Sequence, residues 1–208
     1  MARTRTSKAW MHEHVTDPYV RRAKQAGYRS RSAFKLIEVL EKDKLVHSGM
    51  TVVDLGSAPG GWSQVMAPLV GATGHVIALD VTEMAAVEGV TFVRGDFSET
   101  ETLERLEEVL TGRRIDLVIS DMSPNISGVG LVDQARSIRL AELALEFARD
   151  KLKPGGSLLV KVFQGSGVDE FRKQLSAAFS TVAVRKPKAS RDRSSELYLL
   201  ARGRRSSA

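Results

Sequence analysis

The chain has 208 residues, 31 Lys and Arg against 25 Asp and Glu, no cysteine, and 42% hydrophobic content. The length suits one domain with a sizeable core, and the composition is globular rather than disordered. The missing cysteines exclude disulfides, cysteine-held zinc or iron–sulfur centres and any cysteine nucleophile. No apolar run reaches the roughly 18–20 residues of a spanning helix. The opening MARTRTSKAW is basic but lacks an apolar stretch before a cleavage site, so no secretory leader is predicted and the cytoplasm is the expected location. The net charge of +6 conceals a segregation. Residues 1–35 carry nine basic and two acidic side chains and residues 185–208 eight and two, leaving 14 and 21 for 36–184. An acidic body between basic ends suits a compact domain that receives a polyanion at one edge.

In chain order, Asp17-Pro18 reads as a helix start, with the cap and the first helical position filled by favoured residues, and Gly27 stops that helix. A second helix covers about 31–43, where Phe34, Leu36, Ile37 and Leu40 share a face. Short apolar runs then follow at 51–55, 75–80, 90–95, 115–120, 156–163, near 180–185 and at 196–201. Such runs mark strands buried on both faces. Between them lie helical patterns near 60–69, 100–111, 133–152 and 167–178, the third of these four terminated by Lys153-Pro154-Gly155-Gly156. Strand–helix alternation predicts an α/β fold with a mostly parallel sheet covered on both faces. The short link between the last two strands predicts an antiparallel edge. The domain limits are expected at 1–30 for a basic helical extension, 31–203 for one α/β domain and 204–208 for a disordered tail.

The run Val52–Trp62, VVDLGSAPGGW, ends a strand and opens a helix. Gly56, Gly60 and Gly61 allow a tight turn and close approach of a ligand. Ala58 fills the position where a dinucleotide fingerprint has its middle glycine. Asp54, Asp80 and Asp96 stand at the ends of three successive strands, the edge at which open α/β sheets bind ligands. There Asp80 can accept both hydroxyls of an adenosine ribose and Asp96 the adenine amino proton. The acidic lining favours S-adenosylmethionine over NAD, because a pyrophosphate is repelled by carboxylates and a sulfonium with an amino group is not.

After the fourth strand, SDMSPNISG supplies Asp121 without the Pro-Pro-aromatic clamp common in enzymes that methylate base amines. Pyrimidine carbon-5 methylation through a cysteine adduct is excluded by composition. Lys161 interrupts an apolar strand and must reach an edge or find partners. Taken singly, it can also be read as a structural ion pair, and Lys35 and Glu196 read as surface charges. His12, His14, His47 and His75 suggest no metal site.

The motifs GYRSRSAFKL, DLGSAPGGW, SDMSPNISG, VKVFQG and VRKPKASRDRSSELY together resemble the FtsJ/RrmJ family of RNA ribose 2′-O-methyltransferases. The resemblance implies a Rossmann-like class I methyltransferase with seven strands. It implies S-adenosyl-L-methionine as cofactor and S-adenosyl-L-homocysteine as product. The family's Lys-Asp-Lys-Glu tetrad falls on Lys35, Asp121, Lys161 and Glu196, and its cofactor contacts on Gly60, Trp62, Asp80, Asp96 and Asp121, to which the elbow itself adds Asp54 and Gly56. The implied substrate is a uridine ribose of 23S ribosomal RNA in the large (50S) subunit, with neither DNA nor a membrane as partner; a monomer is expected. In this scheme Lys161 is the general base and Asp121 orients it. Lys35 holds phosphate or the developing oxyanion, and Glu196 positions Lys35 or the ribose. The clusters Arg21, Arg22, Lys24, Arg29, Arg31 and Arg185, Lys186, Lys188, Arg191, Arg193 lead into Lys35 and Glu196, and are the expected phosphate contacts. Three alternatives compete: methylation of transfer RNA or a messenger cap, an NAD-dependent oxidoreductase, and a non-catalytic ribosome-assembly factor. Ala58-Pro59 and the acidic lining weigh against the second, and the intact tetrad against the third.

Overall fold

A computed structural model describes residues 17–124, 127–191 and 194–206. In chain order the elements are α1 (Pro18–Gln25), α2 (Ala33–Asp43), β1 (Thr51–Leu55), α3 (Gly61–Val70), β2 (His75–Asp80), β3 (Val90–Arg94), α4 (Thr100–Leu110), β4 (Ile115–Ser120), α5 (Gly130–Lys151), β5 (Leu152–Phe163), α6 (Val168–Ala178), β6 (Phe179–Arg185) and β7 (Glu196–Arg204). The seven strands form one sheet in the order β3-β2-β1-β4-β5-β7-β6. Neighbours from β3 to β5 are parallel. At the other end β7 runs antiparallel to both β5 and β6. The antiparallel edge expected from the short β6–β7 link is therefore present, with β7 lodged one place in and β6 outermost.

The period-2 alternation of each strand divides the core into two layers. Val53, Val118, Leu158, Val160 and Val162 face a layer built from α4, α5 and α6, through Leu106, Ala144, Leu145, Ala148, Phe171 and Leu175. Their neighbours Val52, Leu117, Ile119 and Leu159, with Tyr198 and Leu200 of β7, face α2 and α3 through Leu36, Val39, Leu40, Trp62, Val65 and Met66. Lys161 follows Leu159 by two residues on β5, which places its side chain in the α2/α3 layer. Among the described residues no helix is long and apolar enough to cross a membrane.

Most element limits fall where the sequence puts them, and three differ for identifiable reasons. Helix α5 begins at Gly130, three residues before the predicted start. Its entry is stabilised from inside, because the Asp133 carboxylate accepts hydrogen bonds from the backbone of Ser127 and Gly128 and from the Ser127 hydroxyl. Leu152 already pairs with Ile115, whereas Ser157 pairs with Leu117. The Lys-Pro-Gly-Gly stretch is thus a bulge inside β5 rather than a loop before it. Lys153 reaches Asp116 across that bulge. Finally, β7 extends to Arg204 and the Arg205 N–H donates to Ala178 O, so the chain expected to form a tail is paired through Arg205. Residues 207 and 208 lie outside the described residues.

Candidate active site

Strand β1 ends in the glycine elbow. Gly56 (φ 74°) and Gly60 (φ 101°) both occupy the left-handed region that favours glycine. At Gly56 a Cβ would stand 2.3 Å from Met122 Cγ, so the glycine also makes room for the β4–α5 loop. Gly60 is the N-cap of α3. Beyond the elbow lies a cavity of about 1130 Å³ at the carboxyl ends of β1, β2, β3 and β4. Its wall includes Gly56, Asp80, Met84, Asp96, Asp121 and Met122.

The carboxylates differ in what they do. Asp80 accepts from Ala58 N at 2.9 Å and Thr82 N at 2.7 Å, tying the elbow to the loop after β2. Asp96 accepts through Oδ1 from both the backbone and the hydroxyl of Ser98. Its Oδ2 takes no hydrogen bond from a described residue. Asp54 does not reach the cavity surface. It is 1% exposed, accepts from Ser63 Oγ at 2.6 Å, and leaves Oδ1 without a hydrogen-bond partner among the described residues. Burial pushes its carboxyl up to about 7; the Ser63 hydrogen bond opposes this, and the Asp121 and Asp80 charges add to it.

Asp121, at the end of β4, joins the cavity to a second constellation. Lys161 Nζ lies 3.1 Å from Asp121 Oδ1 and donates to Asp121 O at 2.5 Å. Lys35 Nζ lies 2.6 Å from Glu196 Oε1. All four side chains are mostly withdrawn from solvent, between 6% and 18% exposed, where ion pairing matters more than at a surface. Burial alone would raise the Glu196 carboxyl; the Lys35 ammonium, with Lys161 further off, outweighs it and holds the group below the usual carboxylate range. The pairing of β5 with β7 brings the two ion pairs together. Lys161 stands opposite Tyr198 and Phe163 opposite Glu196, so Lys161, Tyr198 and Glu196 all sit at one end of the same two strands. Lys35 reaches them from α2.

Tyr198 is the member that sequence reasoning missed. It is fully buried, its hydroxyl donates to Asp121 Oδ1 at 2.7 Å, and its ring lies 5.6 Å from that of Trp62. Burial, then the Asp121 and Glu196 charges, raise its phenol well above the ordinary value, so it is a neutral donor at working pH. Two residues after Glu196 on a strand, it had to share that residue's face, and this was the available signal. Trp62, expected at the cofactor, has its indole behind the tetrad: it is 2% exposed and donates to Ser32 O at 2.9 Å. Neither Gly60 nor Trp62 lines the cavity; the elbow meets it through Gly56, Ala58 and Pro59.

The basic residues assigned to RNA fall into two groups. Arg21, Arg22, Lys24, Lys186 and Lys188 are exposed, and Arg22 lies over the Phe34 ring at 4.7 Å. The other described members have internal partners. Arg31 pairs with Asp17 at 3.0 Å and donates to Ala189 O. Arg185 holds Asp43 through two bonds of 2.6 and 2.5 Å. Arg191 Nε stands 3.7 Å from Asp17. Arg29 donates to three backbone carbonyls. Even exposed Lys186 donates to Ser194 O at 2.7 Å and to Glu196 O. Arg193 lies outside the described residues.

The profile of the FtsJ-like methyltransferases matches residues 28–204, nearly all of the domain just described. The chain belongs to that family. It is 58% identical over 205 residues to the ribosomal RNA large subunit methyltransferase E of Nitrosospira multiformis, covering 99% of this chain and 100% of the relative. It is 61% identical over 202 residues to the enzyme of the same name from Dechloromonas aromatica, covering 97% and 98%. Among solved structures, a ribosomal RNA methyltransferase from Plasmodium falciparum superposes with a TM-score of 0.77 at 27% identity, covering 85% of this chain and 98% of that one. The family membership makes the chain a methyltransferase and accounts for the elbow, the acidic lining and the sheet order together.

Proposed function

We propose that this protein methylates the ribose 2′-hydroxyl of a uridine in 23S ribosomal RNA of the large subunit or its precursor, using S-adenosyl-L-methionine. The observation that carries the reading is the Lys161–Asp121 pair, whose carboxylate lines the cavity, beside the Lys35–Glu196 pair. The lining fits the cofactor. In this reading Asp80 would accept from ribose hydroxyls, the unused Oδ2 of Asp96 from an adenine amino group, and Asp121 from a cationic amino acid end; that all three line the cavity supports it. Bound there, the cofactor would supply an electrophilic sulfonium methyl. No metal is needed for that chemistry.

The chain's own part is to align and activate the attacking oxygen. Lys161 takes the 2′-hydroxyl proton, and Asp121, held in turn by Tyr198, fixes the direction of the lysine. Lys35, oriented by Glu196, stabilises negative charge on the ribose oxygen or on the adjoining phosphate. The exposed cations of α1, Arg21, Arg22 and Lys24, grip the RNA that the domain modifies. A second reading rests on the contacts of Lys161, whose two partners are both acceptors. A lysine that stays protonated would stabilise the oxyanion instead of removing the proton.

Incubating the protein with labelled S-adenosylmethionine and 50S subunits, free 23S RNA or transfer RNA, then mapping 2′-O-methylated positions, tests the substrate. Ribose methylation confined to large-subunit RNA is the expected outcome; methylation of transfer RNA alone would overturn it. Lys161→Ala should lower the rate at least about a hundredfold with cofactor binding intact. A wild-type rate that rises with pH supports the base, and one that falls through the same range supports the oxyanion role.

A further inference from the structure

Position alone puts Arg29 among the RNA contacts, since it lies between the cations of α1 and Lys35. Its guanidinium is committed elsewhere. Nη1 donates to Pro59 O at 3.2 Å and to Ala85 O at 2.6 Å, and Nη2 donates to Ala86 O. Pro59 belongs to the glycine elbow, whereas Ala85 and Ala86 belong to the segment 81–89 between β2 and β3. That segment is a wall of the large cavity, to which it contributes Met84. One planar, always-charged group thus fastens the wall to the elbow through three carbonyls, a span that a lysine's single ammonium does not reproduce.

The surroundings are built for this link. At Gly60 a Cβ would come within 3.1 Å of both Arg29 Nη1 and Val87 Cγ2, so the missing side chain is the space in which latch and wall meet. Ser57 Oγ approaches Met84 Sδ at 3.7 Å from the elbow side. The backbone behind the arginine is fixed as well. Arg29 N donates to Gln64 Oε1 at 3.1 Å, and Gln64 Nε2 donates to Gly27 O at 2.7 Å, securing this stretch to α3.

We propose that Arg29 is a positioning residue for the cofactor, a latch that holds the 81–89 wall closed over the pocket, and that it is not a phosphate contact. Opening the pocket then requires the guanidinium to release Ala85 and Ala86, so the latch governs how fast S-adenosylmethionine enters and S-adenosylhomocysteine leaves. The proposal rests on the reading of this cavity as the cofactor site.

The test compares wild type, Arg29→Ala and Arg29→Lys in three measurements. These are Kd and dissociation rates for both forms of the cofactor, RNA affinity without cofactor, and amide exchange over 81–89. Arg29→Ala should raise the cofactor Kd and KM about tenfold, mostly through faster dissociation, and speed exchange over 81–89. RNA affinity should change less than about twofold, and kcat at saturating cofactor should fall far less than kcat/KM. Arg29→Lys, which keeps stem and charge, should leave RNA affinity unchanged yet restore only part of the cofactor affinity; it serves as the test if the alanine variant unfolds early. Unchanged cofactor Kd with weakened RNA binding would overturn the latch. A wild type that binds no S-adenosylmethionine would instead overturn the reading of the cavity.

Discussion

The two basic ends of the chain are nearly equal in charge and unequal in what they offer. The N-terminal end presents Arg21, Arg22 and Lys24 on an exposed face of α1. Toward the C-terminus, Arg185 and Arg202 converge on Asp43, and Arg204 donates twice to Arg149 O. Both ends look alike as runs of cations, yet the carboxylate and carbonyl partners come from distant parts of the chain. A positive run therefore measures attraction at long range, and only the fold decides which of its members remain available for phosphate.

That contrast can be broken experimentally, beginning with the largest effect. Replacing Arg21, Arg22 and Lys24 together by alanine should weaken RNA binding about a hundredfold at low salt. It should flatten the dependence of log affinity on log salt by about 2, with no change in melting temperature. Arg185→Ala should do the reverse. It removes the two closest hydrogen bonds of a carboxylate with little exposure and leaves Arg202 as its ion pair among the described residues, so stability should fall by about 2 kcal/mol with the salt slope of RNA binding unmoved. The Arg185 hydrogen bond, against the opposing effect of burial, holds Asp43 below its usual range. A depressed carboxyl contributes stability above the unfolded value and loses it as pH falls through the lower folded value. The gap in urea midpoint between wild type and Arg185→Ala should therefore close below about pH 4. An equal loss of RNA affinity in both variants would erase the distinction between the ends.

Smaller effects sharpen the same distinction inside the site. Tyr198→Phe removes the donor to Asp121 and should cut kcat about tenfold with little change in KM for either substrate; an unaltered rate would mean that Lys161 alone fixes the carboxylate. Asp54 works in the opposite direction to Asp43. Its raised folded value means that its contribution is full below the unfolded value and is lost as pH rises toward about 7. Asp54→Asn should therefore gain melting temperature relative to wild type between pH 5 and 8, and parallel curves across that range would contradict the burial argument.

Much of the fold was legible because its signals are local. Short, mostly apolar runs such as IDLVIS suit strands covered on both faces, and Asp17-Pro18 carries its own cap, with Tyr19 N bonded to Asp17 Oδ1 at 2.9 Å. The glycines of the elbow declare a turn that other residues resist. Less was legible where the outcome depends on pairing across the sheet. Lys35 and Glu196 look like surface charges until β7 is set beside β5. The internal partners of Arg31 and Arg185 are set by tertiary packing, to which no local pattern refers. The tetrad is legible in the family motifs and not in the chemistry of its residues taken singly.

The place of β7 in the sheet has a temporal consequence. It is inserted between β5 and β6, and among the described residues β6 pairs with no other strand. On a ribosome, everything up to Ser195 can emerge while β5 has an open flank and β6 has no sheet to join. At that stage Lys35 lacks Glu196 and Asp121 lacks the Tyr198 hydroxyl. Closing the flank of β5 and bringing Glu196 and Tyr198 beside Lys161 are therefore one event.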